Sequence, residues 1–176
     1  ADLLVQSVIK SHAVPAIVVR GSNNFGPRQY PEKLIPLIIT NILSGEKIPL
    51  HGDGSHMRTW LHVDDFSDAI LHILDKAGNG SIYNVAGSTI LSNREVINLF
   101  AELLGHKFDD VVEFVSDRPS ADFRYAPDGA KILSDLSWQP RFDIKSSAKE
   151  VIDWYSDNQK WWKDIKMKKE FLRYAD

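Results

Sequence analysis

Pro15-Ala16-Ile17-Val18-Val19-Arg20-Gly21-Ser22-Asn23-Asn24-Phe25-Gly26-Pro27 is the stretch on which the fold turns. Its first six residues form a short, β-rich apolar run of the kind buried in a parallel sheet. Ahead of it, residues 1–11 carry Leu3, Leu4, Val8 and Ile9 at helical spacing. A helix leading into such a strand is half of a βαβ pattern, which predicts an α/β chain. That helix opens at Ala1 with no capping residue, as though cut into a longer one. Beyond the strand, Gly21 to Lys33 contains two Gly, two Pro and the adjacent pair Asn23 and Asn24. It reads as a long loop, and long loops inside compact domains tend to carry function.

The pattern continues downstream. A helix is predicted from about Glu32 to Leu43, with Pro36 tolerated in its first turn. Ile48 to His51 reads as a strand, Gly52-Asp53-Gly54 as a turn and Arg58 to Val63 as another strand. Asp64 and Asp65 stand where an N-cap and first-turn acids belong, ahead of a helical stripe of Phe66, Ala69, Ile70, Ile73 and Leu74. Ser81 to Val85 is strand-like, Ser92-x-x-Glu95 is a capping box for a helix ending near Gly105, and Val111 to Val115 is a further strand. Ser116 to Asp128 is a second long polar loop. Lys131 to Leu136 reads as helix, Trp138-Gln139-Pro140 as its stop, and Ser147 to about Ile165 as one last helix. The terminal Lys163, Lys166, Lys168, Lys169 and Arg173 read as a solvated helix face.

Composition narrows the function. The chain has 176 residues, enough for one core or one plus a satellite. Without cysteine it has no disulfide, thiolate metal site or cysteine nucleophile, which fits a reducing compartment and makes the cytoplasm the expectation. A net charge of −3 supplies no general field for nucleic acid or an anionic membrane, so neither is expected as a partner. The most apolar stretch, Leu34 to Leu43, is ten residues long where a membrane span needs roughly 20. The ten glycines form no G-x-G-x-x-G turn, no G-x-S-x-G elbow is present, and no Tyr is followed by Lys four residues later. His51, His56 and His62 with Asp53 fit no established metal spacing, so no metal is expected. Asn23 and Asn24 can each donate and accept, which suits hydroxyls or a carboxamide. Lys33, Arg58 and Arg118, if brought together, would bind a diphosphate through charge-assisted hydrogen bonds. The alternative is that each simply pairs with a nearby acid such as Glu32, Asp53 or Asp117.

Read in order, Arg20-x-Ser22-Asn23-Asn24-Phe25-Gly26-Pro27, Tyr30-Pro31-Glu32-Lys33-Leu34-Ile35-Pro36, His51-Gly52-Asp53-Gly54, Arg58-x-Trp60-Leu61-x-Val63-x-Asp65, Tyr83-Asn84-Val85-x-Gly87 and Asp117-Arg118-Pro119-x-x-Asp122-x-Arg124-Tyr125 closely resemble the C-terminal half of the dTDP-glucose 4,6-dehydratases. Ser137-Trp138-Gln139-Pro140 and Trp154-Tyr155 through Trp161 continue the match, so the resemblance spans almost the whole chain. It implies the C-terminal part of a Rossmann-type NAD(P)-binding extended short-chain dehydrogenase/reductase, with a small mixed α/β substrate-binding domain. Residues 1–22 are then a residual Rossmann helix and strand, and 23–176 mainly the nucleotide-sugar-binding domain with short returns to the Rossmann domain.

The implied reaction turns dTDP-glucose into dTDP-4-keto-6-deoxyglucose plus water with bound NAD. A UDP-sugar dehydratase, epimerase or decarboxylase of the same superfamily, or a non-catalytic nucleotide-sugar-binding module, remain as alternatives. By resemblance the family's other half holds the glycine-rich NAD turn, a Tyr-x-x-x-Lys pair and an Asp-Glu acid/base pair, so the chain reads as a fragment with no catalytic residue of its own. Ser22 and Asn24 match positions near NAD. Asn23 matches a sugar contact, Lys33 and Leu34 nucleotide-sugar contacts, Pro49 and His51 the strand beside the base, and Arg58 a diphosphate ligand. Asn93, Asp117 and Arg118 match the remaining diphosphate and nucleoside contacts. His51 stands where the family often has an aromatic, and Ala121 where it often has His. The full-length family implies a homodimer. Purified chain supplied with NAD and dTDP-glucose is expected to form no 4-keto sugar, as read by the ultraviolet absorbance of the product in base; product formation would overturn this reading.

Overall fold

The computed structural model describes residues 1–117, 119 and 121–168. Arg118, Lys169 and Arg173 lie outside the described residues. Helix α1 (Asp2–His12) leads to strand β1 (Val18–Gly21), and helix α2 (Leu34–Ser44) to strand β3 (Ile48–His51). Strand β4 (Met57–His62) runs straight into helix α3 (Val63–Lys76), followed by strand β5 (Ile82–Val85). The expected capping box is present: Ser92 Oγ accepts the Glu95 amide at 3.1 Å and the Ser92 amide donates to Glu95 at 2.7 Å, opening helix α4 (Asn93–Leu103). The short helix α5 (Phe108–Val111) leads into strand β7 (Val112–Val115), and β7 and helix α6 (Ala130–Leu136) also fall where the sequence puts them.

Four features differ from the sequence reading, each for a tertiary reason. Asn23–Phe25 is a strand, β2, because β4 offers it a parallel edge. Strand β6 (Thr89–Ser92) has no periodic signal of its own and is made by antiparallel pairing with the other edge of β4. The cap of α3 is His62, whose Nδ1 accepts the Asp64 amide at 3.3 Å, rather than an aspartate. The last helix is two, α7 (Ile144–Asp157) and α8 (Gln159–Lys166), which meet at Asn158. The turn brings Trp162 Nε1–H to the Tyr155 carbonyl at 2.8 Å and Lys166 to Asn41 of α2 at 2.9 Å and Glu46 at 2.7 Å, so Lys166 ties α8 to α2 and the loop after it and is not a solvated charge.

The sheet is in three parts: β1 beside β5, β3 beside β7, and β4 flanked by β2 and β6, with the short β8 (Arg124–Tyr125) also on β4. Two cores result. The larger takes Phe25, Trp60, Leu91 and the apolar faces of α2, α4 and α7, and the smaller takes Leu61, Tyr83, Val85, Trp138 and one face each of α3 and α6. Neighbouring residues of β4 therefore feed different cores, as side chains alternate along a strand. Gly87 lets the β5–β6 link cross β4 at close range, because a Cβ there would stand 1.7 Å from the Trp60 carbonyl oxygen.

Asp65 joins the helix layer to the loop after α6. Its carboxylate is 0 % exposed and accepts the amides of Arg141 at 2.9 Å and Phe142 at 2.8 Å, with Arg141 Nε at 3.3 Å. It is an anchor for the turn at Arg141 and Phe142 as well as a first-turn acid. Asp65→Ala is expected to cost about 2–4 kcal/mol in urea unfolding, since two buried N–H groups lose their acceptor. Asp65→Asn recovers only part, because its one carbonyl oxygen can keep both main-chain amides while its Nδ2 donor then faces Arg141 Nε–H.

Candidate functional site

Strand β4 and what pairs with it set the geometry. Asn23 is in register with Trp60, and Arg58 stands two residues earlier on the same strand face, opposite Leu91 on β6 and Tyr125 on β8. Arg58 is half-buried, its Nη1 donates to the Met57 carbonyl at 2.8 Å, and it has no carboxylate partner among the described residues. The expected pairing with Asp53 is not formed, because the Asp53 carboxylate turns back on its own loop and accepts the Ser55 amide at 2.9 Å. The Ser55 hydroxyl first, then its amide, hold that carboxyl below its usual value. Lys33 behaves differently. At the start of α2 its ammonium is exposed and reaches Glu32 at 3.1 Å, a surface pair of little energetic weight. Leu34 follows it and packs against the larger core.

Asn24 lies on the opposite face of β2. Its Nδ2 donates to the Ser22 carbonyl at 3.1 Å, while its Oδ1 is buried with no hydrogen-bond partner among the described residues. Ser22 is buried, and its hydroxyl oxygen accepts the Gly87 amide at 3.4 Å. Gln29 Nε2 donates to the Asn24 carbonyl at 2.8 Å, and the Gln29 carbonyl accepts Tyr155 O–H at 2.7 Å. Burial of the Tyr155 phenol raises its pKa well above the ordinary tyrosine value, keeping it a donor.

The third group sits at the end of β3. Pro49 is half-buried in that strand, and His51 at its end has Nδ1 at 3.0 Å from the Ser116 carbonyl just past β7. Gly52, at φ 60°, lies under Asp117, whose carboxyl carbon would be 3.2 Å from a Cβ there. Asp117 Oδ2 faces His56 Nε2 at 3.6 Å, and the His56 carbonyl accepts the Asn93 amide at 3.0 Å at the start of α4. His51, Asp117 and Asn93 thus lie along one rim, linked through Ser116 and through His56, the residue just before β4. Two open clefts of about 450 Å³ and 560 Å³ lie elsewhere, and none of the nominated residues lines either. Among the described residues no group of three or more His, Cys, Asp or Glu could hold a metal ion.

Residues 1–86 match the NAD dependent epimerase/dehydratase family. Over 166 residues the chain is 42% identical to the dTDP-glucose 4,6-dehydratase of Streptomyces antibioticus, covering 94% of this chain and 49% of that one. The Escherichia coli dTDP-glucose 4,6-dehydratase is 37% identical over 175 residues, with 94% and 48% covered. The crystal structure of the Bacillus anthracis dTDP-glucose 4,6-dehydratase in complex with NAD superposes with a TM-score of 0.88 at 42% identity, over 93% of this chain and 51% of that one. The chain resembles the C-terminal half of that enzyme.

Its fold is accordingly the C-terminal part of a Rossmann-type extended short-chain dehydrogenase/reductase. The chain spans about half the length of the curated relatives it matches. A dTDP-glucose 4,6-dehydratase from Streptomyces venezuelae, solved with NAD and TYD bound, matches at 37% identity and a TM-score of 0.88. A UDP-glucose 4-epimerase from Thermotoga maritima, at 21% identity and a TM-score of 0.82, shares the fold. Among the described residues no helix is long and apolar enough to cross a membrane.

Sequence reasoning left two side chains of the site unassigned. Gln29 carries no motif signal, since its role depends on the distant Tyr155 and the edge of β2. His56 was weighed only as a metal ligand, and its partner lies 61 residues on, beyond any local spacing.

The capping box holds the helix start that carries Asn93. The Ser92 amide first, then its hydroxyl, keep the Glu95 carboxyl below its ordinary value. A depressed carboxylate contributes stability that is complete above its unfolded pKa and is lost as pH falls through the folded one. Thermal melts of wild type are therefore expected to lose stability on acidification below the normal glutamate range more steeply than melts of Glu95→Gln. At neutral pH, Ser92→Ala should cost about 1 kcal/mol. Parallel pH profiles for wild type and Glu95→Gln would show that the cap does not titrate.

Proposed function

We propose that the chain is the nucleotide-sugar-binding half of an NAD-dependent dTDP-glucose 4,6-dehydratase, a lyase of deoxysugar biosynthesis that forms dTDP-4-keto-6-deoxyglucose and water. The observation that carries this reading is Arg58, a half-buried arginine with no carboxylate partner among the described residues, opposite Leu91 on the strand that leads into α4. Such a cation is costly unless an anion meets it, and its planar fork matches a diphosphate. Asn23, on the same face, offers a donor and an acceptor to sugar hydroxyls, and Lys33, beside Leu34, can leave its exposed pair with Glu32 to join a phosphate. Pro49, His51 and Asp117 form the base end, and Arg118 is assigned there from sequence.

NAD fits the chain at one point. The buried Oδ1 of Asn24, without a partner among the described residues, has room for one N–H or O–H donor, such as a carboxamide, and Ser22 fixes the backbone next to it. NAD when bound would supply the acceptor and later the donor of hydride for the sugar. The residues of this chain bind and orient, which is a share of catalysis distinct from proton and hydride transfer.

In this reading residues 1–22 belong to the Rossmann domain, and α3, β5 and α6 are the later segments that return to it, since they build the smaller core. The complete protein is a cytoplasmic homodimer. Leu3 and Leu4 of α1, 82% and 71% exposed, support a further surface that covers that helix. A UDP-sugar enzyme of the same superfamily is the second reading, favoured by His51 standing where an aromatic is often found.

In a complete enzyme containing this chain, Arg58→Ala is expected to weaken dTDP binding by about 1.5–3 kcal/mol, the scale of a hydrogen bond to a charged group. Arg58→Lys should also lose affinity, because a point charge replaces the fork. Calorimetric titration with dTDP and UDP decides it. Unchanged affinities would reject the diphosphate role, and a preference for UDP would move the reading to the second class.

A further inference from the structure

Gln29 joins a strand of the site to the larger core. Its Nε2 donates to the Asn24 carbonyl at 2.8 Å, and its own carbonyl accepts the buried Tyr155 O–H of α7 at 2.7 Å. The orientation of the side-chain amide follows from its partner, since a carbonyl can only accept. That leaves Gln29 Oε1 buried and without a partner among the described residues. An unmet buried acceptor costs stability, so a residue placed there for packing alone would be apolar. What the amide supplies, and an apolar side chain would not, is the N–H on Asn24. The backbone carries a second cost. Of the non-glycine residues with positive φ among the described ones, Ala13 and Ser137 close helices, and Arg28 stands in a loop at φ 64°. Its guanidinium lies over the Trp154 ring of α7, 5.7 Å from the centroid. The turn from Gly26 to Gln29 thus folds back on Asn24 and is seated on α7 through Trp154 and Tyr155. Asn24 has two other ties. Strand β2 is at the end of its sheet, with β4 on one side only, and Asn24 Nδ2 bonds the Ser22 carbonyl at 3.1 Å, a local contact that moves with the strand. Gln29 adds a bond to the main chain of β2 from outside the sheet.

We propose that Gln29 is a positioning residue for Asn24: anchored by Tyr155, it fixes the main chain from which Asn24 Oδ1 meets its donor, and thereby contributes to NAD affinity. This role rests on the reading of Asn24 as an NAD contact given above. It differs from a packing role in what it demands of residue 29, namely an N–H at the position of Nε2. A methionine, which has the same length and nearly the same volume, should pack as well and position less.

The test uses the complete enzyme containing this chain, freed of bound nucleotide and titrated separately with NAD and with dTDP, with urea unfolding in parallel. Gln29→Met is expected to raise the NAD Kd by about threefold to tenfold, the scale of one hydrogen bond, and to leave the dTDP Kd within about twofold of wild type. Its urea midpoint should stay close to that of wild type, since the unpaired oxygen is removed together with the donor. Tyr155→Phe should shift the NAD Kd in the same direction by a smaller factor. Gln29→Met combined with Asn24→Ala should lose no more NAD affinity than Asn24→Ala alone, because Gln29 acts only through Asn24. Wild-type NAD affinity in Gln29→Met, an equal loss of dTDP affinity, or full additivity with Asn24→Ala would each overturn the proposal. Asn24→Ala by itself separates the two levels: if it weakens NAD binding while Gln29→Met does not, Asn24 keeps its role and Gln29 loses its own, and if Asn24→Ala has no effect the NAD reading itself fails.

Discussion

The two-faced character of β4 is the constraint from which the rest of the structure follows. Met57–His62 pairs along one edge with β2 and β8 and along the other with β6, so its own backbone groups are spent on three partners. Its side chains alternate, with Trp60 closing the larger core and Leu61 the smaller. A shift of one residue in register would exchange the two sets and open both cores at once. That penalty keeps Asn23 opposite Trp60 and Arg58 on the same face, and so fixes the site before any ligand contributes.

The junction between the cores is held by polar groups rather than by apolar contact. Asp65 gathers the turn at Arg141 and Phe142, and His62, fully buried one turn earlier, caps α3 while its ring lies between Phe25 at 5.2 Å and Phe142 at 4.8 Å. Gly26 permits this, since a Cβ there would stand 2.6 Å from Val63. Buried polar groups of this kind are costly when unsatisfied and orienting when satisfied. Here they tie the Asn23–Asn24 strand to the start of α3, so that strand inherits the rigidity of the junction.

The rim of His51, Asp117 and Asn93 is built differently. Its residues come from the ends of β3 and β7, the start of β4 and the start of α4, and they are joined by main-chain hydrogen bonds and the His56–Asp117 contact. Such a rim is less buried than the junction, with the Asp117 side chain about half exposed.

The sequence by itself determined the helices α1, α2, α3, α4 and α6 and the strands β1, β3, β4, β5 and β7, because their signals are local: the apolar run after Pro15, the capping box at Ser92 and Glu95, and the glycine at 105 each act within a turn or two of chain. It also determined the relationship to the dehydratases, since Ser22-Asn23-Asn24-Phe25-Gly26-Pro27 and Tyr30 to Pro36 are ordered motifs that need no third dimension to compare. Only the tertiary structure decided the rest. Asn23–Phe25 and Thr89–Ser92 become strands through the edges of β4, His62 displaces Asp64 as a cap because of where β4 ends, and Lys33 and Arg58 part company because only one of them has an acid within reach. The pairing of His56 with Asp117 was decided there too. Each of these depends on which distant segments a residue meets, and period and propensity hold no information about that.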